Sequence, residues 1–169
     1  MIRGLLLGIV LTLFVGAAAW LVVAYGGFYN VAASDPHADA VRWTLETTMR
    51  RSVSRQAGEV RMPVSVPQDV LEEGARRYAG ACAQCHGAPG EEAEPWAEGM
   101  RPEPPALTEA AAEWSPEEVA WIVENGIKMS GMPAFGGRLS LEEIVAVAAF
   151  VRELPGLSAD DYAAMAEGG

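Results

Sequence analysis

At 169 residues the chain has room for one domain of ordinary size and an appendage, which argues against a two-domain enzyme with its own substrate fold. Residues 1–67 hold six Arg against four acidic side chains, a net +2, so a total of −11 leaves −13 on residues 68–169. That acidic remainder argues against nucleic acid, whose phosphates need Lys and Arg, and favours partner proteins with basic patches.

No ionisable side chain occurs between Arg3 and Asp35, and Gly4 to Tyr29 is apolar, longer than the about 20 residues that cross a hydrocarbon core. The segment 1–33 is therefore expected to be a transmembrane anchor. Arg3 and the α-amino group precede it and no cation follows closely, so the positive-inside rule leaves the N-terminus cytoplasmic and the rest exported. A cleaved signal peptide is the competing reading, with Val31-Ala32-Ala33 as the cleavage site. Its weakness is length, since signal h-regions run to about 7–15 residues.

Residues 34–67 read as a helix and a linker. Asp35-Pro36 looks like a helix start, and the spacing of Val41, Leu45, Met49 and Val53 predicts an apolar stripe on a helix over about 37–56. Arg42, Arg50, Arg51 and Arg55 make that helix basic, and Trp43 lies off the stripe. Two roles stay open: packing on the domain that follows, or lying on anionic head groups or a partner subunit. The stretch GEVRMPVSVPQ, with two prolines and no period, reads as a linker letting the next unit stand off the membrane.

The two cysteines of the chain sit three residues apart, too close to staple a fold, so their role is chemical. Cys82-Ala83-Gln84-Cys85-His86 has the haem-attachment spacing, which brings two sulfurs to two vinyl groups and points the next imidazole at the iron. A thioredoxin-like dithiol would need a βαβ surround, and no alternating strands are predicted. A zinc site would need four ligands, and the remaining His37 lies in the linker. Upstream, Val70, Leu71, Gly74, Ala75 and Tyr78 share a face of a helix over 68–81, and Gly74 marks a close helix–helix approach.

A carrier haem usually has a second axial ligand, and Met100, Met129 and Met132 follow the motif. Met132 lies in the glycine- and proline-rich stretch SGMPAFGG, which can fold back without helical constraint, and ranks first; Met129 is next. Two further helices are predicted by capping boxes. Ser115-Pro116-Glu117-Glu118 opens one running to Asn125-Gly126. Ser140-Leu141-Glu142-Glu143 opens another that presents Ile144, Val147, Ala148 and Val151 inward and stops at Pro155-Gly156.

CAQCHG, WIVENGIKMSGMPAFGG and LSLEEIVAVAAFVRELPGL together resemble a class I cytochrome c of the bacterial membrane-anchored monohaem kind, over about 68–157. The resemblance implies helices wrapped around one covalent haem c in 68–157; with the transmembrane helix and amphipathic linker helix read above, the expected fold is all-α, and the linker helix and the tail 158–169 lie outside the minimal domain. It implies cofactor binding by Cys82, Cys85, His86 and Met132, the last two on the iron. It further implies that Pro104, Pro105 and Leu107 shield the haem edge, and that Arg101 and Trp121 are candidates for a propionate.

The function implied is one-electron transfer at the periplasmic side of an inner membrane, with a fixed subunit of a respiratory or dehydrogenase complex as the alternative. A haem enzyme would need an open iron position and a distal acid–base group. The spare histidine, His37, lies outside the domain.

Overall fold

The computed structural model describes residues 2–167, which form helices joined by turns, with no named strand among them. The chain divides into two compact units, Met1–Asp35 and Pro36–Gly169.

The first unit is built on α1 (Ile2–Gly26), about 37 Å long at 1.5 Å per residue and long and apolar enough to cross a membrane. Thr12 donates its hydroxyl to the Gly8 carbonyl at 3.0 Å, so that donor is not left bare on an apolar helix. After Gly27, at φ +66°, the Asn30 side chain brackets a turn, donating to Asp35 at 2.9 Å and accepting from the Ala32 amide at 3.0 Å. Asp35 is thus engaged behind itself. The expected helix start at Asp35-Pro36 is corrected: α2 (Asp39–Ala57) begins four residues later, after Ala38, with no side-chain cap.

The second unit crosses α3 (Gln68–Ala81) against α7 (Leu141–Glu153), with α6 (Pro116–Asn125) on the other flank of α7. Gly74 lets this crossing be close. A Cβ there would run into the Ala146 carbonyl and lie 2.8 Å from the Phe150 Cβ. Around it Ala75, Tyr78, Val147, Ala148, Phe150 and Val151 are buried, and the Tyr78 and Phe150 rings tilt against each other at 5.5 Å.

Both capping boxes form: Ser115 and Glu118 exchange bonds at 2.9 and 3.2 Å, Ser140 and Glu143 at 2.7 and 3.3 Å. Gly126 ends α6 at φ +66°.

Two segments outside the minimal domain pack onto it. The C-terminal half of α2 lies on α6, with Val53 and Ala57 buried, Arg50 paired to Glu113 at 2.8 Å and its guanidinium 4.9 Å from the Trp114 ring. Of the two roles left open for this helix, that half takes domain packing, whereas Trp43 and Leu45 remain exposed. The stretch after it is not a free spacer, because Val60 and Met62 rest on the core. The tail forms α8 (Ala159–Glu167), packed on α3 with Tyr162 buried against Phe150, ring centroids 6.1 Å apart.

Candidate functional site

Helix α3 delivers the cysteine motif. It ends at Ala81, Cys82 caps it, and α4 (Ala83–His86) follows as a single turn carrying Cys85 and His86. Both thiols are free and half-buried. Burial, with Cys85 beside it, pushes the Cys82 thiol up to about 12, and burial raises Cys85 as well. Burial thus disfavours the thiolate at both sulfurs, opposite to the lowered thiol pKa on which a dithiol redox centre relies. Among the described residues no group of three or more His, Cys, Asp and Glu side chains could hold a metal ion.

The chain after His86 turns back sharply. Gly87 sits at φ +66° and its carbonyl accepts from the buried Tyr78 hydroxyl at 2.6 Å. Ala88 and Glu91 exchange backbone bonds at 2.8 and 2.9 Å, and the Glu94 amide returns to the Gln84 carbonyl at 2.9 Å. The loop beyond it brings Pro105 to the motif, where its carbonyl lies 2.8 Å from His86 Nδ1. A carbonyl only accepts, so Nδ1 must carry the proton and Nε2 presents its lone pair. Burial lowers the His86 pKa, partly opposed by this bond, which favours the neutral imidazole a metal needs.

The three methionines are placed differently. Met129 is 79% exposed at φ +62°, on the surface of the turn. Met132 is half-buried in a loop held from both ends. Its carbonyl accepts from Ile127 at 3.1 Å and its amide donates to Ser130 Oγ at 3.1 Å, while Phe135 and Gly136 bond back to Val123 and Glu124 of α6. Met100 is also half-buried, and its methyl occupies the space a side chain at Gly131 would take.

Of the remaining candidates, Pro104 and Leu107 are half-buried, and Leu107, which opens the single turn α5 (Leu107–Ala110), packs on the core. Arg101 is exposed and donates to the Glu98 and Met100 carbonyls of its own loop, at 2.8 and 2.7 Å. Trp121 is half-buried on α6.

These residues fit a covalent haem: two un-ionised thiols one turn apart, an adjacent imidazole with its metal-binding nitrogen free, and a thioether in a braced loop. Sequence reasoning did not find the role of the Pro105 carbonyl, because a backbone acceptor nineteen residues away leaves no side-chain signature. The Met100–Gly131 contact was missed too, although a glycine beside the candidate ligand is the usual mark of a close approach.

Residues 69–151 match the sequence model of the family described as cytochrome c oxidase, cbb3-type, subunit III. Comparison with curated proteins gave no match. The matched segment runs from the start of α3 through the cysteine motif, the Met132 loop and most of α7, and so holds the whole site just described. Residues 69–151 are thus a c-type cytochrome domain, the part of the chain that binds haem.

Proposed function

We propose that the chain is a one-electron carrier on a single haem c, attached through Cys82 and Cys85, with His86 and Met132 as axial ligands. On this reading α1 anchors it in a bacterial inner membrane and the haem domain works in the periplasm. The observation that carries the reading is the His86 Nδ1–Pro105 bond, which orients a neutral imidazole directly beside two thiols.

Haem held by these residues would supply an Fe(III)/Fe(II) couple, and ligation by the Met132 thioether with the His86 imidazole would raise its potential relative to two nitrogens. The protein's part is to hold both ligands and to bring a partner to the haem edge. Loop 91–103 suits a basic partner surface: it carries Glu91, Glu92, Glu94, Glu98 and Glu103 against Arg101, with Trp96 54% exposed among them.

Pyridine haemochrome analysis of the purified protein is expected to give one haem c per chain, resistant to acid–acetone extraction and absent from a Cys82→Ala/Cys85→Ala variant. Haem extracted by acid–acetone sinks the covalent assignment. Met132→Ala is expected to lose the near-infrared band of Met-ligated ferric haem, and a retained band removes Met132 from the iron. Reduced protein is expected not to bind carbon monoxide; rapid binding would instead support an enzyme with an open iron position.

The second reading, a fixed electron-transfer subunit of a larger complex, is favoured by the family description and by Trp43 and Leu45, which the packing of α2 leaves exposed. Val53 is unsuited to testing it, since it is buried in the protein's own core. Trp43 and Leu45 are exposed on the same helix, and replacing both with Ser is expected to abolish co-purification in mild detergent if α2 is the docking element. Unchanged co-purification refutes that role.

A further inference from the structure

Pro105, which orients His86, and Met132 belong to two different loops, and a side-chain contact joins them. Met100, five residues before Pro105, places its methyl in the empty side-chain space of Gly131, with its sulfur 3.3 Å from where a Cβ would stand. The Met100 end is itself secured, since its amide bonds to Ala97 at 3.0 Å and its carbonyl accepts from Arg101 at 2.7 Å. Gly131 is the immediate neighbour of Met132, in a turn whose bonds, Ser130 Oγ to Ile127 and Ile127 to Met132, are internal, while Phe135 and Gly136 just beyond it bond to Val123 and Glu124 of α6. None of these bonds reaches the opposite loop.

We propose that Met100 is a positioning residue for the axial ligand: its thioether end, seated on Gly131, latches the Met132 loop to the loop that orients His86. This rests on Met132 being the iron ligand. The latch is packing rather than ligation, and it governs how often the Met132 loop swings away and exposes the sixth position. Gly131 is the matching half, because a methyl group there would compete for the volume the Met100 methyl fills.

The test uses the full-length, haem-loaded protein in detergent. It reads the near-infrared band of the ferric form and the rate at which cyanide displaces the sixth ligand. Met100→Ala is expected to keep the band, since Met132 still ligates, while cyanide binds about tenfold faster as the loop opens more often. Gly131→Ala is expected to act similarly by evicting the Met100 methyl. The double variant is expected to return towards the original rate, because the new methyl fills the space the shortened side chain vacates. Met100→Leu, which keeps the volume and removes the sulfur, guards against a failure to mature and is expected to preserve both band and rate.

Cyanide rates for Met100→Ala within about twofold of the original, or additive effects in the double variant, overturn the latch. Loss of the band in Met100→Leu makes Met100 itself a ligand and also overturns it. Failure of the underlying ligand assignment is read separately, from Met132→Ala, by a band that persists.

Discussion

Gly74 and Tyr78 decide how closely α3 can carry the haem-attachment motif to the rest of the domain. A methyl group at 74 would meet the backbone carbonyl of Ala146, which cannot rotate away as a side chain could. Gly74→Ala is therefore expected to lower the unfolding free energy by about 1–3 kcal/mol, read as a reduced denaturant midpoint at unchanged slope. Tyr78→Phe removes the donor to the Gly87 carbonyl, at the residue after His86, and is expected to cost about 1–2 kcal/mol. An unchanged midpoint would mean that water reaches the Gly87 carbonyl. At this scale the candidate site was legible where its side chains sit at short spacing, as Cys82, Cys85 and His86 do on one turn of chain. The sequence was silent where a backbone group acts at a distance, as Pro105 does, because every residue has a carbonyl.

The helices built by local rules were the readable ones. Ser115-x-x-Glu118 and Ser140-x-x-Glu143 each state a helix start in four residues, and both boxes close in the fold. Removing either serine, as in Ser140→Ala, is expected to cost about 1 kcal/mol without moving the haem spectrum. Asp35-Pro36 offered the same kind of signal and was claimed instead by Asn30, a partner five residues upstream that no capping pattern anticipates.

Helix α2 shows the other limit. Its period announces an apolar face but not what covers it, and the answer is α6; Arg50 on the same helix finds its partners in Glu113 and Trp114, over sixty residues away. The Arg50–Glu113 pair is exposed, so Arg50→Ala is expected to cost under about 1 kcal/mol. Val53→Ala, taken from the buried contact, should cost about 2 kcal/mol. Limited proteolysis checks the order: cleavage within α2 should rise in Val53→Ala well before it does in Arg50→Ala.

Across the whole molecule the charges are separated along the chain, positive up to residue 67 and strongly negative beyond it. Electron exchange with a basic partner is therefore expected to slow as ionic strength rises, because the Debye length falls from about 10 Å at 0.1 M salt to about 3 Å at 1 M. Trp96→Ala should weaken that exchange while leaving the salt dependence in place, since the ring adds contact area and not charge; stopped-flow reduction at several salt concentrations separates the two.

The docking of α2 also sets the scale on which such a partner can be met. Residues 27–67 as free chain would pay out to well over about 100 Å, but with α2 folded and fastened only residues 27–38 remain as tether, a contour of about 40 Å at most. If α1 is the anchor proposed, a cytochrome on so short a leash would not patrol the periplasm. On the anchored reading it serves neighbours in the same membrane at a high effective concentration, and encounters with freely diffusing carriers depend on their coming to it.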